Sequence, residues 1–385
     1  MGIRSVQVVV IGGGIIGTSI TYYLAKQGIE VALFERGDIA SGTSGACSAA
    51  IAMQTKGSGL KLRLGLESKT FYEHVIEELG EDVEYDQDGG MIIAETEEEF
   101  EYISSLVKRQ QEMGLTLRLL ETKEIKELQP AMSESVIAST FCPMDGTVNP
   151  LKVTFAYARA AKKYGARFYP FASVKAIQVS KGKVTEITTD IGTIKMELLV
   201  NAAGVWAPEV GRMVGLRIPI TPRRGIMAVT EVLPPVIRGS ILSAKYLMSK
   251  YLDDSGDEFT CGLTIRHTRS GNLLFGSSRE FVGYNRHTTH RGLSLIVKEA
   301  IRIFPFLKDV CIIRTFAGLR PFTSDGLPIV GKAPGMEGLI MAAGHEGDGI
   351  SLAPITGKLV ANLITKGECP EVLSHLNLQR LEHSP

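Results

Sequence analysis

The sequence predicts an α/β fold in which a parallel, dinucleotide-type sheet is interrupted by a second domain of α+β type. Three observations carry that prediction. The first is Val6–Arg36, where a β-branched run enters Gly12-Gly13-Gly14-Ile15-Ile16-Gly17, a helical segment follows, and a second apolar run ends on Glu35. The second is the return of strand, helix and strand character over 146–204 after a polar interval, ending on Asn201-Ala202-Ala203-Gly204. The third is a change to hairpin-like strands from Pro219 to Val310. The predicted architecture is a Rossmann-like domain formed by 1–80, 143–217 and 311–385. It is interrupted by a substrate domain with a mixed, largely antiparallel sheet, formed by 81–142 and 218–310.

The N-terminal unit reads strand, turn, helix, strand, acid. Val6–Ile11 is a buried parallel strand, Ser19–Gln27 has helical spacing with Gly28 as its cap, and Ile29–Phe34 is the next strand. Gly12 permits the tight turn, Gly14 lets backbone N–H groups approach a pyrophosphate, and Gly17 lets the helix pack on the strand. Ile15 and Ile16 complete that anion-binding turn, and Glu35, eighteen residues past Gly17, is placed to accept from a ribose diol. The absence of charge from Ser5 to Ala25 resembles a signal anchor, but four glycines and a charged helix end argue against one. After Glu35 and Arg36, the loop to Ala50 is rich in glycine and serine, and its Thr43 and Ser44 are expected to complete an anion's hydrogen bonds.

Leu60–Leu79 is an amphipathic helix, Val83–Ala94 contains a strand, Glu95–Met113 is a helix with an acidic start, and Leu119–Leu128 is a surface helix stopped by Pro130. Asn149 caps a helix with Pro150 in its first turn and Gly165 at its end. Arg167–Val179 and Lys183–Met196 read as strands, and Leu198–Gly204 as an apolar strand whose small end lies under a cofactor, followed by Trp206. Gly225–Thr230, Phe259–His267 and Leu273–Ser278 are strands forming the floor or roof of a substrate cavity, and Leu293–Phe304 is a helix. Leu339–Ala343 is a strand, and Gly344-His345-Glu346-Gly347-Asp348-Gly349 turns into the helix Ile350–Ile364, a second anion-welcoming helix start.

Bulk properties narrow the function classes. With 42 basic and 42 acidic residues there is no electrostatic reason to expect nucleic acid or an anionic membrane as partner. Apolar content of 44% suits a soluble enzyme, and no other stretch approaches the roughly 20 apolar residues of a membrane span. Five scattered cysteines without a C-x-x-C exclude a local zinc or iron–sulfur site and fit a reducing cytoplasm; His287 and His290 lack a third ligand, so no metal is expected.

GGGIIG, NAAGVWA, FAGLRPFTSDGLPIVG and AAGHEGDGISLAP together resemble the D-amino-acid oxidase family of FAD enzymes, over nearly the whole chain. GTSGACSAAIAMQTK and LLFGSSREF are similar to its hetero-oligomeric amino- and imino-acid dehydrogenase subunits. The resemblance implies FAD and oxidation of a C–N bond of a small amino or imino acid by hydride transfer to flavin N5. It implies that Arg320, in GLRP, binds the substrate carboxylate, for which a guanidinium fork is suited. A structural ion pair is the alternative for Arg320. Under the same resemblance the cofactor contacts extend to Val174, Gly204, Trp206, Gly344, Gly347, Gly349 and Ile350, and His345 joins the catalytic candidates. The C-terminal helix would then stabilise negative charge on the reduced flavin.

Three departures shape the expectation. Ala317 and Gly318 stand near where sarcosine oxidases tether the flavin through cysteine, with Cys311 upstream, so FAD is expected to be non-covalent. Leu274 stands where those enzymes place a lysine for oxygen, which favours a dehydrogenase. Thr264 replaces the tyrosine of glycine oxidases, which leaves Tyr246 or Tyr251 to substitute for it. Arg279 is expected to add a second cationic contact for substrates with an extra acidic or polar group; a salt bridge to Glu280 or another surface acid is the alternative. Three functions stay open: a dehydrogenase, alone or as the catalytic subunit of a hetero-oligomer with its own electron acceptor; a stand-alone oxidase producing hydrogen peroxide; and, in another class, a structural or RNA-modification flavoprotein subunit.

Overall fold

The computed structural model describes residues 4–251 and 259–381. Ser5–Ile11 forms the middle of the first sheet because its alternate residues bury on opposite faces, Val8 and Val10 in the core under the helical layer and Val9 and Ile11 in the other. Each buried valine contributes about 1.5–3 kcal/mol, which holds this strand at the centre. It pairs in parallel with Val31–Phe34 and with Gly192–Asn201. Arg167–Tyr169 and Leu339–Ala343 extend the sheet in parallel on either side, and Ile329–Lys332 closes one edge antiparallel. A hairpin, Val174–Ser180 with Lys183–Thr189, joins through the first half of Gly192–Asn201. The helix Ile15–Lys26 packs on the sheet against two others, Pro150–Lys163 and Gly349–Thr365.

The second sheet has eight strands in the order Ile312–Phe322, Thr221–Val232, Asn272–Glu280, Phe259–His267, Ser240–Ser243, Gly90–Ala94, Ala138–Phe141 and Arg118–Leu120. Its pairings are antiparallel apart from Ser240–Ser243 with Gly90–Ala94. The helix His290–Ile303, capped by the Thr289 hydroxyl, lays Ile296, Ala300 and Ile303 into the same core as Ile226, Ala228 and Phe275. Ile312–Phe322 belongs to this sheet while Ile329–Lys332 and Leu339–Ala343 belong to the first, so that segment serves both layers. Among the described residues no helix is long and apolar enough to cross a membrane.

Three elements differ from the sequence expectation. Arg167–Val179 is two strands, because Phe171 takes φ +56° between Arg167–Tyr169 and Val174–Ser180. Lys183–Met196 also breaks, at Asp190-Ile191 before Gly192 with φ +128°, and its second part runs on to Asn201. Leu119 and Leu120 end a strand instead of starting a helix; the helix Thr122–Leu128 starts after Glu121, whose capping box with Glu124 satisfies the first amides.

Candidate active site

A cavity of about 810 Å³ lies between the two sheets, within the usual size of a small-molecule site. Its first end is the glycine turn. A Cβ on Gly12 would stand 2.4 Å from the Ala202 carbonyl oxygen, and Gly12 also takes φ +115°, so only glycine brings the two strand ends together. A Cβ on Gly17 would stand 1.9 Å from the Gly12 oxygen, which makes Gly17 a packing residue; it does not line the cavity. Helix geometry leaves the first-turn amides without intrahelical acceptors. Ser44 Oγ accepts from Ile15 N at 2.9 Å, and Gly14 and Ile16 line the cavity beside it.

Glu35 accepts from Gly13 N and Gly37 N, each at 2.7 Å, one on each carboxylate oxygen. Those bonds fix the carboxylate at the cavity wall and leave acceptor capacity for a diol. The Arg36 guanidinium lies 3.9 Å over the Trp206 ring and 3.8 Å from Glu209, so Arg36 and Trp206 form one wall with Gly204 and Val174. Thr43 donates to the Leu319 carbonyl at 2.5 Å, tying this loop to the strand that carries Arg320. Asn201, buried at the small strand end, donates to the Ala207 carbonyl and accepts from Ala203 N, which shapes the turn into Gly204.

The middle of the cavity faces the start of the helix Gly349–Thr365, where Gly347, Gly349 and Ile350 line it. Gly344 does not line it: its φ of +78° turns the chain, and a Cβ there would stand 2.8 Å from Thr323 Cγ2. His345 is buried with Nε2 3.0 Å from Thr356 Oγ1, and burial pushes its pKa down to about 3. It is therefore a neutral wall of the site. Asp348 is buried in ion pairs with Lys56 at 3.0 Å and Lys61 at 3.4 Å, a cluster the sequence reading missed.

The other end is built on the second sheet. Arg320 Nη1 donates to the Ser278 carbonyl at 3.0 Å, and Nη2 donates to Ser277 Oγ at 2.6 Å and Tyr246 Oη at 3.1 Å. Among the described residues it has no carboxylate partner, so the ion-pair alternative for Arg320 is not formed. Gly225 leaves the space this guanidinium occupies, since a Cβ there would stand 2.4 Å from both Nη atoms. Arg279 is buried, donates from Nη1 to the Tyr246 carbonyl at 2.7 Å and Ser249 Oγ at 2.5 Å, and lies 3.8 Å over the Tyr246 ring. Its expected alternative partner Glu280 is taken by Arg224 at 2.6 Å, because neighbouring strand residues point to opposite faces. Burial raises the Tyr246 phenol, but the charges of Arg279 and Arg320 outweigh it and bring the pKa down to about 8.

The structure thus brings Arg320, Arg279, Tyr246 and His345 to one cavity with the glycine turn. Tyr251 ends the helix Ala244–Tyr251, and its side chain lies outside the described residues. Ser277, Gly225 and Arg266 were not anticipated. Arg266 is buried on the same wall with Nε on the Ser48 carbonyl at 2.7 Å, and the alternation along Phe259–His267 was the available signal. Among the described residues no cluster fits a metal ion.

A Rossmann-like sheet with a glycine turn, a carboxylate held on the cavity wall and a second helix start on the same cavity is the arrangement of a dinucleotide-dependent oxidoreductase, and these residues fit FAD. The profile of the DAO family, FAD dependent oxidoreductase, matches residues 7–363, and the chain belongs to that family: it is an FAD-dependent enzyme. Glycine oxidase of Geobacillus kaustophilus is 30% identical, with 97% of each chain covered. Hydrogen cyanide synthase subunit HcnC of Pseudomonas aeruginosa is 26% identical, covering 99% of this chain and 98% of that one. The crystal structure of L-proline dehydrogenase from P. horikoshii superposes with a TM-score of 0.90 at 29% identity, covering 99% of both chains.

Proposed function

We propose that this enzyme oxidises the C–N bond of a small amino or imino acid, working as a dehydrogenase. When bound, FAD supplies the hydride acceptor. The observation that carries the reading is Arg320, a guanidinium on the cavity wall with three neutral hydrogen-bond partners and, among the described residues, no acid, which suits a carboxylate-binding role. Arg320 takes the carboxylate, the Tyr246 hydroxyl and Ser277 hold that fork in place, and the apolar wall of Met227 and Leu274 keeps water from the reacting carbon. Because a neutral amine needs no protein base, orientation is the main task of the chain. The similarity to glycine oxidase, HcnC and L-proline dehydrogenase supports the substrate class.

Leu274 on the cavity wall, in place of a lysine, supports the dehydrogenase, and the likeness to a synthase subunit supports a partner chain that carries electrons away. The oxidase reading is the second one, favoured by the likeness to glycine oxidase at 30% identity. FAD is held without a covalent tether in this reading, since Ala317 and Gly318 offer no nucleophile, and a cytoplasmic setting suits five unpaired cysteines. The structural or RNA-modification role has less behind it, given the neutral charge and the built carboxylate fork. The test is anaerobic bleaching of the holoenzyme by amino and imino acids, then admission of air. Slow recolouring supports the dehydrogenase, fast recolouring the oxidase, and no bleaching by any amine refutes C–N oxidation.

A further inference from the structure

Arg279 is hard to explain as a structural residue. It is 6% exposed and lines the cavity, yet among the described residues no carboxylate pairs with it. Its Nε is buried without a hydrogen-bond partner, and only Nη1 is used, on the Tyr246 carbonyl and Ser249. The nearby acids make their ion pairs elsewhere, Glu280 with Arg224 and Glu346 with Arg223, and Glu346 reaches Arg279 through its field. Arg320 and Arg279 hold the two ends of one side chain, the Tyr246 hydroxyl and the face of its ring. Two guanidiniums a phenol ring apart, neither in an ion pair among the described residues, make this end of the cavity locally cationic, and burying a charge without an ion-pair partner is unfavourable unless a ligand supplies one.

Building on the amino-acid reading above, we infer that the substrate is a dicarboxylic amino or imino acid, with one carboxylate on Arg320 and the second on Arg279. The second carboxylate sits a few atoms from the first, on the nitrogen substituent or on the side chain. Arg279 then gains an ion-pair partner when such a substrate enters, which discriminates against monocarboxylates through the unpaired charge they leave behind.

The test uses FAD-loaded protein and matched pairs that differ by one carboxylate: iminodiacetate against sarcosine, N-(1-carboxyethyl)alanine against N-ethylalanine, and D- or L-aspartate against alanine. The first two pairs place the second carboxylate on nitrogen and the third places it on the side chain. Anaerobic bleaching gives kcat/KM for each. Wild type is expected to favour the dicarboxylate in at least one pair. R279M is expected to lower that preference roughly thirtyfold or more, mainly through KM, with R279K keeping part of it. A preference for monocarboxylates throughout, or equal losses on both members in R279M, overturns the inference while leaving C–N oxidation standing. Should R279M not hold FAD, the wild-type ratios and R279K decide. Failure of every amine to bleach the flavin refutes C–N oxidation itself, and the inference with it.

Discussion

Gly225→Ala tests the carboxylate fork without touching a charged residue. The added methyl would stand 2.4 Å from Arg320 Nη1 and Nη2 and 2.6 Å from Cζ. Ordinary contact requires about 3.5 Å, so the guanidinium must retreat by roughly 1 Å. Gly225 does not use a left-handed φ, so the backbone accepts alanine, and the far end of an arginine moves more readily than a strand. A 1 Å retreat stretches bonds now at 2.6–3.1 Å to Ser277, Tyr246 and the Ser278 carbonyl to or past the limit of useful geometry. Misplacement on that scale costs about 10²-fold in rate or affinity. The variant is expected to fold, keep FAD and melt close to wild type, while kcat/KM falls about 10- to 100-fold with most of the loss in KM. The assay is anaerobic flavin reduction at varied substrate, alongside flavin content and thermal melting. Unchanged kcat/KM in a folded, yellow variant would refute Arg320 as the carboxylate site.

Other parts of the site give separate tests. Tyr246 is expected to titrate near pH 8 as one phenolate step in ultraviolet difference absorbance, absent in Tyr246→Phe; R279M removes a nearby cation and moves the step upward. His345 is neutral in the fold down to about pH 3, so an unfolded histidine binds its proton first as pH falls below its ordinary value of 6.5. Stability is therefore complete above 6.5 and declines below it, by about 2 kcal/mol at pH 5 from this residue alone. His345→Gln should remove that share of the decline in urea midpoints. Gly12→Ala places a methyl against the Ala202 carbonyl at a left-handed φ, and is expected to yield protein purifying without its yellow colour; normal FAD content would count against the turn as the pyrophosphate site.

The glycine turn, its helix and the position of Glu35 were legible because everything they need lies within one local stretch, whereas Thr43 and Ser44, expected to bond an anion, bond the Leu319 carbonyl and the Ile15 amide. The second sheet was legible only as hairpins. Gly90–Ala94 pairs with Ser240–Ser243, and no local periodicity announces a partner about 150 residues away. Phe171 gave no warning of its positive φ, whereas Asp190 and Gly192 were turn residues that could have been weighed. Arg320 was found through its motif, but its three supports, Ser277, the Ser278 carbonyl and Tyr246, come from other elements. That Glu280 belongs to Arg224 follows from strand alternation, once the register is known.

Thr43, on the loop beside the glycine turn, donates to the carbonyl of Leu319, and the next residue is Arg320. One strand thus takes an instruction from each side of the cavity, at adjacent positions. If FAD ordered the Thr43 loop, this hydrogen bond would carry the effect to the strand that bears Arg320, and a shift of that strand would reach the loop by the same route. With such coupling, thermodynamic reciprocity would make the factor by which FAD strengthens substrate binding equal to the factor by which substrate strengthens retention of FAD. An enzyme wired this way guards its cofactor best when it is saturated with work.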